Sequence, residues 1–424
     1  MSRSRFRLGL VLLVAFALRL AWAVYATRTP VFVESGDAYS YFFYGRQIAE
    51  GGGYLNLDGS GQATAYYPIG YPALLGGLFW LVLHTPLPNA LPMAASLLHV
   101  VLGTASGGLL YLVVRGATAS ARTALVAAAV LSLWPNVIYG TATMQLETAF
   151  VFAVLAALAV LATHRWAVGP PSWRRLLAFA VLLAASAMIR PFSLLFVAIP
   201  VVLLLLHRRG VRAVGFAMAV TVVPIVVLLT PWTLRNQRAM GAPLPFSSNM
   251  GDTVCLDRNL DARGGFRFAD HDGCALHTLG EVERNARSTK KAIAFVREHP
   301  GREALQIVRR LRLIFEHDHD GLDVIERYGR GPVQPEARTQ WLRRLADGYF
   351  FIALALAGVG VVRSLGRSRR ATMIILAVPI VGLLGVAALL WGTPRFHAPA
   401  VPFFAAFAAV GLSGLQRRDG DTPA

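Results

Sequence analysis

Long apolar runs recur along the whole chain, and the short loops on one side of them carry arginine with no acidic partner. A helix needs about 17–25 predominantly apolar residues to cross the roughly 30 Å hydrocarbon core of a bilayer. Runs of this kind cover residues 8–25, 91–114, 123–139, 143–163, 176–189, 191–206, 211–231, 348–362, 372–391 and 398–415. Residues 70–83 are apolar too, but short and flanked by prolines, so they are expected to re-enter or lie along the membrane surface. The stretch 176–206 is interrupted by Ile189-Arg190-Pro191, and because proline breaks a helix it reads as two short spans. The pattern predicts an all-α polytopic membrane protein of about ten transmembrane helices.

Composition agrees. Hydrophobic residues make up 55% of the 424 and charged residues only 15%, with a mean hydropathy of +0.52. Soluble domains carry about 25% charged residues, so a soluble enzyme is excluded. The net charge of +18 invites a nucleic-acid reading, but the arginines sit in short clusters between apolar runs, so no nucleic-acid partner is expected. Lys290 and Lys291 are the only lysines, and alanine is abundant, as in proteins of GC-rich bacterial genomes.

Positive charge in short loops marks the cytoplasmic side. An inside N-terminus places Arg3, Arg5, Arg7, Arg115, Arg122, Arg165, Arg174, Arg175, Arg208, Arg209, Arg212 and the arginines of 363–370 there. Of the 23 acidic residues, only Asp419 and Asp421 join them. Basic residues before an apolar core and the "AWA" at 21–23 resemble a cleavable signal, but the alternation of every later loop works with the first span retained. The chain divides into an N-terminal bundle, 1–231, with a first outer loop at 26–90, an outer segment, 232–347, and C-terminal helices with a short tail, 348–424. The outer segment reads as a small mixed domain whose carboxylates are mostly solvated. Its cysteines, Cys255 and Cys274, either remain separate thiols or pair in the oxidising outer compartment. Pairing closes a loop of about 20 residues, for roughly 3 kcal/mol.

Few ionisable groups sit where membrane-embedded chemistry can use them. The first outer loop holds "VESGDAYSYFFYGRQIAEGGGYLN", 33–56, with Glu34 and Asp37 just after the first span and an aromatic stretch behind them. A carboxylate there either serves as a base on a hydroxyl, if burial lifts its pKa, or caps an interfacial helix. Glu147 is the only acidic residue between Asp58 and Asp252, and an ionisable group at a span is a functional candidate by default. Its other reading is a carboxylate resting on a helix dipole. Arg190, Arg235 and Arg395 break the cytoplasmic bias, and a guanidinium fork binds phosphate or carboxylate in two-pronged fashion. They either hold a phosphorylated lipid or form internal ion pairs, Arg190 with Glu147 for example. "EHDHD" at 316–320, with Asp270, His271 and His277, has no recognised metal-ligand spacing and reads as a solvated helix end.

At these residues the chain resembles the GT-C superfamily of integral-membrane glycosyltransferases, in particular bacterial relatives of protein O-mannosyltransferases and aminoarabinose lipid A transferases. The resemblance rests on Asp37, Tyr41 and "GGGY" at 51–54, then "TAYYPIGYP" at 64–72, which contains Tyr67. "MQLETAF" around Glu147, "MIRPFSL" around Arg190 and "PWTLRN" around Arg235 follow. "REHPGREALQIVRRLRLIFEHD" at 297–318 and "PRFHAPAVPF" at 394–403, with Arg395 and His397, complete the series. The motifs stand in the family's order over nearly the whole chain, without specifying a substrate.

The resemblance implies a GT-C-like bundle with interfacial helices in the first outer loop. It implies a polyprenyl-phosphate-linked sugar donor, a lipid, glycan or protein acceptor, and inversion at the anomeric carbon. The site would lie on the periplasmic side of the cell inner membrane. Asp37 matches the presumed base. Ala38 stands where the mannosyltransferase branch often has Glu, which leaves Glu34 or Glu147 as a second carboxylate. Arg395, Arg190 and Arg235 match candidates for the donor phosphate, with Tyr41, Tyr67 and His397 as further substrate contacts. Some members use a divalent metal; a single matched Asp gives no reason to assume any cofactor here. Two other classes compete: a lipid or sugar transporter without chemistry, against which stand the large outer segment and the lack of an evident inverted repeat, and a ligase or polymerase using a diphosphate-linked glycan.

Overall fold

The structure, a computed structural model, describes residues 3–27, 36–266, 274, 279–328, 334–365 and 370–413. Glu34, Asp270, His271 and His277 lie outside the described residues. The first half runs α1 (Arg3–Ala26), α2 (Asp37–Ala49), α3 (Gly70–Leu83), α4 (Leu91–Thr118) and α5 (Ala121–Ser132). It continues through α6 (Pro135–Tyr139), α7 (Glu147–Ala162), α8 (Trp173–Ile189), α9 (Ala198–Leu206) and α10 (Val211–Met240). The outer segment contributes α11 (Met250–Cys255), α12 (Glu281–Glu298), α13 (Pro300–Ile314) and α14 (Asp320–Tyr328). The chain then returns through α15 (Glu336–Ser364), α16 (Arg370–Leu389) and α17 (Val401–Ser413).

Five helical stretches are long and apolar enough to cross a membrane alone: Ser4–Ala26, Pro88–Thr118, Val211–Met240, Glu336–Ser364 and Pro394–Leu412. α5 and the turn after it make a sixth if their 58° bend is counted within one span. The protein is therefore a multi-pass membrane protein. The other runs read from hydropathy are helical but short, and proline accounts for two of the breaks. Pro135 opens α6 after the bend, and Pro191 ends α8 by denying the next turn its N–H. Ser120 and Ser172 cap α5 and α8 by accepting from the N–H groups of Thr123 and Arg175.

The bundle is packed tightly enough that glycine matters. A Cβ on Gly360 of α15 would meet the Phe407 carbonyl oxygen of α17 at 1.9 Å, the close backbone approach that small residues permit between membrane helices. Gly45 and Gly76 bring α2 against α3 in the same way. Gly70, at the start of α3, touches the backbone of Met188, two residues before Arg190, and a Cβ there would lie 2.5 Å from its carbonyl carbon. We expect Gly70→Ala to destabilise by about 1–3 kcal/mol through overpacking, and a thermal melt in detergent would show it.

The mixed character expected for the outer segment is not observed. Among the described residues it is helical, with only an isolated bridge from Gly265 to Gly392. Nor are its carboxylates simply solvated. Asp257 and Glu303 are buried with Arg310, at 2.7 and 2.8 Å, and Arg258 joins Glu303 at 2.7 Å. Charges removed from water persist only when paired, and this network supplies the pairs. Cys255 and Cys274 are joined in a disulfide. Glu281, at the start of α12, accepts from Thr64 Oγ1 at 2.8 Å and from the Ala65 N–H at 2.9 Å, and Ser248 donates to it as well. One outer-segment carboxylate thus fastens "TAYYP" of the first loop.

Candidate active site

Local backbone geometry delivers the site's side chains. Asp37 is the first residue of α2, and the cap position belongs to Gly36, whose φ of 94° is open to glycine. The capping role open to Asp37 on sequence grounds is therefore not its role: no side-chain cap bond forms, and the carboxylate turns elsewhere. Glu147 opens α7. Arg190 is extended, with φ −143° and ψ 118°, as a residue before proline must be, which ends α8 and swings the guanidinium out of the helix. Thr393 is extended before Pro394 for the same reason, and Arg395 follows in the 3-10 turn Pro394–Ala400.

These elements bring four charges together. Arg395 donates from Nη1 to Asp37 Oδ2 at 2.5 Å and from Nε to Glu147 Oε1 at 2.6 Å. Arg190 donates from Nη2 to the same Glu147 oxygen at 2.6 Å. Tyr67 donates to the other oxygen of Asp37 at 2.8 Å. The internal pairing of Arg190 with Glu147 is thus present, and Arg395 reaches Asp37 from 358 positions away in sequence. Burial by itself would raise the Asp37 carboxyl, but Arg395 and the Tyr67 hydroxyl outweigh it and hold the group below its ordinary value. A carboxylate acting as a base near neutral pH needs the opposite shift.

Two atoms of the cluster are left over. Glu147 Oε2 and Arg395 Nη2 are shut away from solvent with no hydrogen-bond partner among the described residues. Buried polar groups are rarely left so. Both residues line a small cavity of about 80 Å³, together with Gln145, Asp318 and Asp320. Tyr67 lines a larger open cleft of about 1240 Å³ with Tyr66, Glu281 and Arg284. The acid–arginine cluster lies between these two spaces. A cation between Asp37 and Glu147 would have to displace Arg395, which bridges the two carboxylates and, with Arg190, balances their charge.

The remaining sequence candidates are distributed differently. Tyr41 is buried under Tyr67 and Tyr71, with ring centroids at 5.1 and 5.2 Å. Arg235 is turned to the first loop: it donates to the carbonyls of Tyr54 and Thr64, both at 2.6 Å, and rests over Trp232. His397 is fully buried, with Nδ1 at 2.6 Å from the Ile314 carbonyl and Nε2 at 3.0 Å from Asp318. Both its nitrogens are engaged away from the Asp37–Glu147 pair, so it sets the path of the turn carrying Arg395. We expect Arg235→Ala to lower the melting temperature, since charge-assisted hydrogen bonds contribute about 1.5–3 kcal/mol each, while donor KM stays within about twofold, a change under 0.5 kcal/mol.

Sequence reasoning missed Asp318. It sits in "EHDHD", read as a solvated helix end, yet it is fully buried and accepts from Trp134 Nε1 and Asn136 Nδ2, both at 2.5 Å. The Tyr71 hydroxyl paired with His99 at 2.8 Å was missed too. Both lie inside motifs quoted above, 64–72 and 297–318, but nothing in those motifs points to partners as remote as His99 and Trp134.

No protein-family model matches the chain. No curated protein matches it either. Among solved structures it is similar to the archaeal oligosaccharyltransferase AglB from Archaeoglobus fulgidus, in complex with an inhibitory peptide and a dolichol-phosphate. That likeness has a TM-score of 0.56 at 13% identity, over 97% of this chain and 51% of that one. The apo form of the Archaeoglobus fulgidus enzyme gives 0.55 at 12% identity, over 96% and 50%. A form tethered to an acceptor peptide containing the NVT sequon gives 0.56 at 13%, over 97% and 50%. The chain spans about half the length of these neighbours. At such identity the likeness establishes architecture: this is a GT-C-type polytopic membrane fold.

Proposed function

We propose that the protein is a membrane glycosyltransferase that moves a sugar from a polyprenyl-phosphate carrier to an acceptor hydroxyl, at the outer face of the inner membrane and with inversion. The observation that carries this reading is the Arg395 fork, shared between Asp37 and Glu147 with one nitrogen left unpaired beside Arg190. A lipid phosphate leaves readily only if its charge is stabilised, and preorganised guanidinium groups supply that. Arg395 Nη2 and Arg190 offer it beside Glu147, and Asp37 is held by Tyr67, which lines the open cleft from which an acceptor would enter.

The reaction is a single displacement. Asp37 takes the hydroxyl proton as the acceptor oxygen attacks the anomeric carbon, and the bond from that carbon to the phosphate oxygen breaks. The phosphate leaves with the electron pair, held by the arginines. One displacement inverts the anomeric centre. Glu147 positions both guanidinium groups. The fold's likeness to an enzyme solved with a dolichol-phosphate supports a lipid-linked donor.

Reconstituted vesicles supplied with a polyprenyl-phosphate sugar would test this, with the product's anomeric configuration read by NMR. A new glycosidic bond of inverted configuration supports the proposal. Sugar-lipid translocation without a glycosidic bond overturns it in favour of a transporter. Preference for a diphosphate-linked donor in competition would replace the donor assignment.

A further inference from the structure

We infer that His317, His319 and Asp347 form a binding site for a zinc-type divalent cation, with Asp320 as the fourth ligand. One ligand atom from each of the first three lies within 4.8 Å of the others. The segment 315–319 runs between α13 and α14 outside any helix. There the two imidazoles stand side by side, stacked at 4.0 Å and 15°. Asp318 between them points the other way, into the bundle. "EHDHD" is therefore two sets of residues interleaved, which is why its spacing matches no local motif.

The third ligand comes from a distant part of the chain. Asp347 on α15 accepts from His319 Nδ1 at 2.9 Å and from the Asp318 N–H at 2.8 Å. A second, independent observation is that His317 Nδ1 and Asp320 Oδ2 are both closed off from solvent without a hydrogen bond, 4.0 Å apart. Two imidazoles and two carboxylates match zinc better than magnesium or calcium, which favour oxygen alone. Tetrahedral zinc with bonds of about 2.0–2.2 Å sets its ligands roughly 3.3–3.6 Å apart, so the side chains must draw in by about 1 Å. Binding would displace the proton that His319 now shares with Asp347.

Such an ion would join the 315–319 segment to α15 directly behind Asp318. The carboxylate of Asp318 holds His397 and Trp134 and lines the small cavity. Occupancy would stiffen that wall, which Asp318 and Asp320 share with Glu147 and Arg395.

The test uses the full-length protein in detergent, stripped with a chelator and titrated with Zn²⁺ against a competing chromophoric chelator. One equivalent should bind. His317→Ala and Asp347→Asn should each weaken binding by at least the roughly 10–100-fold that even outer-shell changes cost, and Glu316→Gln should not. Co²⁺ bound to the unaltered protein should give the intense visible bands of a tetrahedral ion, a readout that survives if a variant fails to fold. Absence of stoichiometric binding, affinity unchanged in both ligand variants, or an octahedral cobalt spectrum would each overturn the assignment. Because the readout is metal binding, failure here leaves the glycosyltransferase reading standing, and the reverse also holds.

Discussion

Asp37→Asn should lower the rate of sugar transfer by about 10²–10⁴-fold, the range contributed by a positioned general base, while the protein stays folded. Asparagine keeps an oxygen for the Tyr67 hydroxyl, 2.8 Å away in the parent, and fills the same space at the head of α2. It removes the capacity to take a proton and, with it, the negative charge that pairs with Arg395, so a thermal melt must accompany the assay. Near-parental turnover by a monodisperse Asp37→Asn protein would show that another group does that work.

The same carboxylate predicts a particular pH dependence. Arg395 and Tyr67 hold its pKa below the ordinary value in the resting protein, despite burial. The active form is the carboxylate, so activity is lost as pH falls through that pKa, and for the free enzyme this limb lies on the acid side of about pH 4. A donor phosphate that draws Arg395 towards itself removes part of the opposing effect and leaves burial in place. The pKa then climbs in the complex. The acid limb of kcat, which reports the complex, should therefore sit at higher pH than that of kcat/KM, which reports the free enzyme. Coincident limbs would show that Arg395 does not shift between carboxylate and phosphate.

The second large effect is expected at Arg395. Replacing it by Ala should reduce transfer by about 10²–10³-fold, comparable to removing one preorganised donor from a charge-stabilising site. It should also destabilise the fold, because it strands Asp37 without a cation and leaves Glu147 with Arg190 alone. Breaking a buried ion pair costs about 3–5 kcal/mol; the partial exposure of Arg395 places this case near the lower end. Arg395→Lys separates the two effects. It restores the positive charge, but one ammonium cannot reproduce the fork that reaches two carboxylates from Nε and Nη1 while keeping Nη2 free. We expect Arg395→Lys to recover most of the melting temperature and little of the rate. Recovery of both would reduce Arg395 to a point charge.

Much of this arrangement was legible in the chain. Hydropathy located the helices, and the arginines that broke the cytoplasmic pattern, with one isolated glutamate, named three of the four members of the cluster. Asp37 came from its place after the first span. The pairing of Arg190 with Glu147 could be anticipated because few other partners existed at that depth. The role of Arg235 could not, since its partners are backbone carbonyls of Tyr54 and Thr64, and any residue supplies a carbonyl. Asp318 was hidden for a related reason: its burial depends on Trp134 and Asn136, far away in sequence. The direction of the Asp37 shift stayed open in the sequence because burial and a neighbouring cation act oppositely, and the closeness of Arg395 decides between them.

Asp37, Glu147, Arg190 and Arg395 carry formal charges that sum to zero. The resting protein can therefore keep all four packed together without the cost of an uncompensated ion. An arriving phosphoryl group makes the assembly anionic, and that surplus is relieved by losing negative charge or by taking up a proton or a cation. Departure of the sugar to a neutral acceptor does not do so, because the carrier phosphate stays behind. Transfer of the acceptor's proton to Asp37 only moves charge within the assembly, from carboxylate to phosphate. On the proposed function, the spent carrier, now a phosphate monoester, carries more negative charge than the donor and should be held more tightly by Arg190 and Arg395, which product inhibition by the carrier would show.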